Sequence, residues 1–344
     1  MRVNTTDPIA QARTLEAGSR HLEAREILSR LAEQGDIEAL TALGHSLLFQ
    51  PPVDFQRGIE LVMRATQSGS AEALHLCAVM AGQGAGLPQD WQASLDYLQA
   101  SAEQGLGVAQ NELRLLAAAQ GDDWKNLRDS IDLPKFLAPA RMQLMHTRPR
   151  IAIVENFLPP EFCDWLIARA KPKIAPAQMI DDDGVHYVGV GRSNSWSMFN
   201  MDEMDLAFVI LRARMAAVTG LSVSGFEKAQ ILHYLPGQKF AAHHDFLNPK
   251  LPAQREMIDG FGQRAVTFLV YLNDDFDGAE TGFLKLNWRY RGNKGDAILF
   301  RNVDAEGAPD PTTLHAGLAP TRGEKWLLSQ WIRIPPRPAQ PVQA

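Results

Sequence analysis

Lys239-Phe240-Ala241-Ala242-His243-His244-Asp245 is the stretch on which the reading of this chain turns. In an extended strand, residues i and i+2 share a face. His243 and Asp245 therefore point the same way and can approach one metal ion, whereas His244 points away. A His-x-Asp pair alone is short of a metal site, which needs at least one more ligand.

The candidate for that ligand lies in Thr313-Leu314-His315-Ala316-Gly317, 70 residues beyond Asp245 and past the apolar runs AVTFLVYL and DAILF. Such a separation suits a histidine returning on a different strand of one barrel. Two imidazoles and a carboxylate on one face of iron(II) leave positions open for a bidentate ligand and dioxygen. A structural histidine is the alternative reading of His315. Lys325 follows ten residues later and opens KWLLSQWIRI, where Lys325, Leu327, Ser329 and Trp331 share a face. A cation facing a barrel interior is costly unless an anion meets it. The other reading is a lysine at the exposed strand edge.

Working outward, IAIVENFL from Ile151 is strand-like, and Pro159-Pro160-Glu161 opens a helix through EFCDWLIARAK. A second helix is expected from about Asp202 to Thr219. Short β-rich runs follow: KAQILHYL, KFAAHHDF, AVTFLVYL, DAILF and KWLLSQWIRI. Pro236-Gly237, Asp277-Gly278 and Lys294-Gly295 separate them, a pattern that predicts a sandwich or barrel. The segment FLNPKLPAQREMIDGFGQR after the motif reads as a loop.

Taken together, these residues resemble the prolyl 4-hydroxylase family of Fe(II)/2-oxoglutarate-dependent dioxygenases. His233-Tyr234-Leu235-Pro236-Gly237-Gln238-Lys239-Phe240 leading into His243-His244-Asp245 is similar to that family's Tyr-x-x-Gly-Gln-x-aromatic-x-x-His-x-Asp. Tyr271-Leu272-Asn273-Asp274, Gly278-Ala279-Glu280-Thr281-Gly282-Phe283 and Lys294-Gly295-Asp296-Ala297 resemble its next segments in order. So do Val154-Glu155-Asn156-Phe157-Leu158 and Gly191-Arg192-Ser193 upstream, and the stretches around His315 and from Lys325 to Trp331 downstream. The resemblance implies an α+β domain built on a double-stranded β-helix, or jelly roll, over residues 149–335. It implies that His243, Asp245 and His315 hold iron, and that Lys325 and Tyr234 bind the distal carboxylate of 2-oxoglutarate. Trp331 would line the cofactor site and Arg192 the substrate groove. Ascorbate is implied as reductant. The implied reaction is hydroxylation of a peptidyl residue, proline first, with decarboxylation of 2-oxoglutarate to succinate. Hydroxylation of a free amino acid, and a repeat scaffold carrying an inactive oxygenase domain, are the competing readings; the complete ligand set argues against the latter. Ala279 stands where the family more often has glycine, a change expected to cost little.

The first third reads differently. Gly35, Gly69 and Gly105 recur at spacings of 34 and 36 residues, each after an amphipathic run (LSRLAEQG, LVMRATQSG, LQASAEQG). Self-similarity at this period means stacked helix pairs. Each glycine ends one helix in the left-handed conformation, and the alanine that follows lets the next helix pack closely. Asp90 is placed to cap a helix starting at Trp91. Residues 8–120 resemble the Sel-one-like class of tetratricopeptide-related repeats. They form an all-α unit expected either to recruit a protein partner on a concave face or to brace the catalytic domain. Residues 121–148 read as a linker with a short helix or two.

Composition agrees with two ordinary globular domains. Of 344 residues, 45% are apolar and 22% charged. A net charge of −6 without basic runs argues against nucleic acid as the main partner. The N-terminus, MRVNTTDPIAQARTLEAG, lacks an apolar signal core, and no stretch approaches the 18 apolar residues of a membrane span. The two cysteines, Cys77 and Cys163, read as buried small residues rather than a disulfide. The chain is accordingly expected in the cytoplasm.

Overall fold

The computed structural model describes residues 7–335, apart from residues 178, 181–185, 188 and 190. It contains two compact units. One runs to Phe136 and regains the chain over Asn200–Leu211; the other holds Leu137–Phe199 and everything from Arg212 onward.

The first unit is helical: α1 (Pro8–Ala17), α2 (His21–Glu33), α3 (Ile37–Phe49), α4 (Phe55–Gln67), α5 (Ala71–Gln83), α6 (Trp91–Glu103), α7 (Gly107–Ala117), α8 (Trp124–Ser130) and α9 (Leu133–Leu137). Asp36, Asp54, Ser70 and Asp90 each accept a first-turn N–H and start a helix. Gly35, Gly69 and Gly105 sit at φ of 86°, 82° and 89°, where a side chain would be strained. Ala39, Ala73 and Ala109, just beyond them, are fully buried, so neighbouring helices approach closely. Successive helices pack in chain order from α1 to α7, as the glycine spacing predicts.

Two boundaries differ from the sequence reading. Residues 121–136 count with the helices rather than as a linker, because Arg114 stacks on the Trp124 ring at 4.8 Å and Arg128 Nε donates to Asp96 at 3.0 Å. Residues 200–211 also belong to this unit. The single helix expected from Asp202 is broken: Met201–Glu203 is a 3₁₀ turn closed by a capping box from Asn200. The Asp205 carboxylate then accepts the Phe208 N–H at 2.9 Å and begins a new helix at Leu206. Its Ala207 N–H donates to Glu112 of α7 at 2.9 Å.

The second unit opens with β1 (Gln143–Thr147) and β2 (Arg150–Val154), a hairpin that starts inside the expected linker. There follow α10 (Pro160–Ala170), β3 (Ala175–Pro176), β4 (Met179–Ile180), β5 (His186–Tyr187), β6 (Ser195–Met198), α11 (Leu206–Thr219), β7 (Gln230–Tyr234) and β8 (Phe240–His243). Next come α12 (Pro252–Phe261), β9 (Gln263–Tyr271), β10 (Asp277–Gly278), β11 (Thr281–Phe283) and β12 (Trp288–Tyr290). The last strands are β13 (Ala297–Arg301), β14 (His315–Gly317), β15 (Pro320–Arg322) and β16 (Lys325–Ile334).

The larger sheet has the order β1-β2-β13-β9-β16-β7-β6-β3 and the smaller β12-β11-β14-β8. From β7 onward the chain crosses repeatedly between them, with β7, β9, β13 and β16 in the larger sheet, β8, β11, β12 and β14 in the smaller, and β10 paired with β15 apart from both, which is the winding of a jelly roll. Leu232, Tyr234, Leu269 and Tyr271 from the larger sheet and Phe283 from the smaller form one buried cluster. The expected loop after the motif contains α12. Pro252 stands in its first turn and Arg255 pairs with Asp259 one turn on. That helix has no buried residue, so no continuous apolar stripe betrayed it.

Candidate active site

β8 ends at His243, yet the side-chain alternation holds as far as Asp245. His243 and Asp245 face the same space, while His244 turns to the Pro311 carbonyl at 3.1 Å. The neighbouring strand β14 places His315 directly opposite His243. Cross-strand pairs lie side by side on one face, so two histidines distant in sequence become neighbours through register alone. One ligand atom from each of His243, Asp245 and His315 lies within 4.8 Å of the others. Nε2 of each histidine is 3.5 Å from an Asp245 carboxylate oxygen.

Both imidazoles are oriented from behind. His243 Nδ1 donates to the Ala241 carbonyl at 2.7 Å and His315 Nδ1 to the Thr313 carbonyl at 3.0 Å. This leaves each Nε2 lone pair facing the cluster. Burial, with His243 alongside, pushes His315 down to about 4, which keeps it neutral at ordinary pH. Burial alone would raise the Asp245 carboxyl, but the two histidines and the Thr267 hydroxyl outweigh it and hold Asp245 well below the carboxylate range. Thr267 on β9 donates to Asp245 at 2.7 Å and receives the Asn302 amide at 2.9 Å. The sequence reading missed this pair. The signal was Thr267 itself, a hydroxyl in the middle of the apolar run AVTFLVYL.

Lys325 is 1% exposed and lies across from Tyr234 in the β16–β7 register. Its ammonium donates to the Ala279 carbonyl at 2.7 Å. No carboxylate forms an ion pair with it among the described residues. Burial accordingly pushes Lys325 down to about 7, against a weaker pull from Glu280. The buried-interior reading of Lys325 therefore holds. Burial also raises Tyr234 above its ordinary range, and Gly317 packs closely beside it: a Cβ there would lie 3.0 Å from the Tyr234 hydroxyl. Ala279 has φ of 56°, a left-handed conformation that strains alanine. The substitution expected to cost little thus sits at a position suited to glycine, and its carbonyl is the one that holds Lys325.

The remaining candidates join the same pocket. Arg192, Tyr234, His243, Asp245, His315, Lys325 and Trp331 all line it, with Gln230 and Thr281. Arg192 is buried, its guanidinium 4.5 Å from the Phe240 ring centre. Trp331 lines the pocket half-buried, and its Nε1 is buried without a hydrogen-bond partner among the described residues.

Two imidazoles, one carboxylate and a buried cation on the inner faces of a jelly roll suit iron(II) and a dicarboxylate keto acid. The family described as the 2OG-Fe(II) oxygenase superfamily matches residues 229–333. Prolyl 4-hydroxylase 1 of Arabidopsis thaliana is 29% identical over 226 residues, which is 61% of this chain and 77% of that protein. Probable prolyl 4-hydroxylase 6 of the same plant is 31% identical over 216 residues, 57% of this chain and 73% of its own. Among solved structures, the viral collagen prolyl hydroxylase of Paramecium Bursaria Chlorella virus-1, in its 2OG complex, is 27% identical. It covers 53% of this chain and 95% of that chain at a TM-score of 0.42. The protein is a 2-oxoglutarate-dependent dioxygenase of the iron(II) class. Within that class, the chain belongs to the prolyl 4-hydroxylase family.

Proposed function

We propose that this protein hydroxylates a prolyl residue within a peptide or protein. The observation that carries the reading is that one pocket holds both the His243–Asp245–His315 cluster and the buried ammonium of Lys325, which has no carboxylate partner among the described residues. In this reading the three ligand side chains hold iron(II), through Nε2 of each histidine and a carboxylate oxygen of Asp245. Lys325 and Tyr234 bind the distal carboxylate of 2-oxoglutarate, which supplies the charge that a buried cation needs. Trp331 lines the keto acid's end of the pocket, and Arg192 contacts the peptide. When bound, iron(II) with 2-oxoglutarate and dioxygen supplies the oxidising power to convert C–H to C–OH, the keto acid leaving as succinate and carbon dioxide. The protein's part is orientation and exclusion of water. The Nδ1–H bonds fix the imidazoles, Thr267 and Asn302 fix the carboxylate, and the apolar jelly-roll core keeps the pocket dry.

Ascorbate serves as reductant, as the family resemblance implies. The helical unit recruits the protein that carries the proline; a groove lined by Phe49, Leu76, Val79, Leu106 and Met201 supports this role. We place the protein in the cytoplasm. Cys77 and Cys163 are both free and buried, and thiols without a disulfide suit a reducing compartment.

The test is direct. Protein reconstituted with iron(II) is given 2-oxoglutarate labelled at C1 and a proline-containing peptide. Release of labelled carbon dioxide, matched by a peptide mass gain of one oxygen on proline, is the expected result. Oxygen appearing instead on free proline or on another residue type would overturn the substrate assignment.

A further inference from the structure

Trp331 and Asp245 are tied to the same strand. Trp331 is the cross-strand partner of Thr267, the residue that holds Asp245. Two features of Trp331 need explanation. Its indole N–H is buried with no partner among the described residues, a state that costs stability unless a ligand relieves it. Its ring is also covered by a cation: the guanidinium carbon of Arg264 lies 3.6 Å from the ring centre.

That arginine is itself clamped. Arg264 Nε and Nη2 donate to the two Glu227 oxygens at 2.6 and 2.9 Å, the fork geometry only arginine makes. Arg333, its cross-strand partner, donates to the same Glu227 at 2.8 Å, so one carboxylate joins two like charges that would otherwise repel. The Glu227 backbone is bound too: its N–H donates to the Trp331 carbonyl at 3.0 Å, and its own carbonyl receives Gln330 Nε2 at 2.8 Å. A guanidinium held in this way cannot swing off the ring.

We propose that Arg264, locked by Glu227, is a positioning residue: it stacks on Trp331 and holds the indole so that its N–H is offered to an acceptor oxygen of the bound ligand. This rests on the pocket being the ligand site proposed above. The acceptor is a carboxylate oxygen of 2-oxoglutarate or a carbonyl oxygen of the peptide. Both are the same chemistry, and the two sources separate on titration.

The experiment follows indole N–H signals in ¹⁵N-labelled full-length protein loaded with zinc, which fills the metal position without turnover. The chain has 7 tryptophans, and Trp331→Phe identifies the one of interest. 2-Oxoglutarate, then oligoproline, is titrated in. The Trp331 signal should move with one of them. In Arg264→Ala it should be displaced before any ligand is added and should lose that response. KM for the same ligand should rise about 2- to 12-fold, the worth of one hydrogen bond, with the other KM unchanged. Arg264→Lys keeps the charge but not the plane, so it should behave as Arg264→Ala does; it carries the test should the alanine variant fold poorly. Trp331→Phe/Arg264→Ala should match Trp331→Phe alone, because Arg264 acts through the indole. Additive losses, or a Trp331 signal that responds normally in the Arg264 variants, overturn the proposal. If the wild-type Trp331 signal and the Trp331→Phe KM values ignore both ligands, the site reading of Trp331 itself fails.

Discussion

At the scale of single residues, charge is what distinguishes this pocket. Asp245 is the sole acid of the ligand cluster. Asp245→Ala should abolish iron binding, measured by metal content after dialysis, and 2-oxoglutarate turnover with it. His244→Ala, one position away, should keep most activity, since His244 turns away from the cluster to meet the Pro311 carbonyl and the Phe246 ring. Lys325 makes a pH prediction. Its folded pKa of about 7 lies below the ordinary 10.5, so between those values the unfolded chain holds the extra proton. This group's contribution to the stability of ligand-free protein therefore rises with pH across that window. With Lys325 in the role proposed for it, binding of 2-oxoglutarate needs the protonated form, so affinity should fall as pH climbs above about 7; calorimetry on the zinc-loaded protein would measure the slope. Lys325→Met should remove the slope and weaken binding about 10- to 150-fold. Ala279→Gly should relieve a left-handed alanine and raise stability by roughly 0.5–1 kcal/mol after the entropy of the added glycine is counted, read as a higher Tm. The sequence made Lys325 legible because one charge on the inner face of an apolar strand demands a partner. It left the strain at Ala279 illegible, because φ is set by the turn and not by the residue's chemistry.

At the scale of elements, the ligand cluster depends on strand pairing more than on the motif. Period-two alternation within Lys239 to Asp245 was readable from the chain, whereas the register that sets His315 opposite His243 was not. Register is a property of two strands, and nothing in either alone states it. The same limit hid Thr267, whose role exists only because β9 passes behind Asp245. Thr267→Val keeps the shape and deletes the donor. It should lower iron affinity about 10- to 100-fold, as loss of such supporting partners does, with little change in Tm. An unchanged metal affinity would show that Asp245 is oriented by the histidines alone. α12 was hidden for another reason: a helix with no buried residue has no apolar period to read.

At the scale of the whole molecule, the glycine spacing exposed the repeats, but not that a later segment joins them. Residues 200–211 belong to the helical unit, with the Ala207 N–H on Glu112, and a Cβ at Gly82 would meet Leu206 at 3.0 Å. A variant beginning at residue 137 deletes Gly82 and Glu112 and leaves this stretch without them. It should give much lower soluble yield and a lower Tm than the full chain; equal yield and Tm would mean that these residues need no such support. The hydrogen bond from Ala207 to Glu112 spans 95 residues of chain. A nascent chain emerges N-terminus first, so when Gly107–Ala117 leaves the ribosome its last neighbour has not yet been translated. One oxygen of the Glu112 carboxylate can already meet His75 of α5, but the other must stay solvated until the stretch carrying Ala207 has been made. The helical array is therefore first to be made and among the last to be finished, and a pause in elongation anywhere between those points prolongs the interval in which its end stands open.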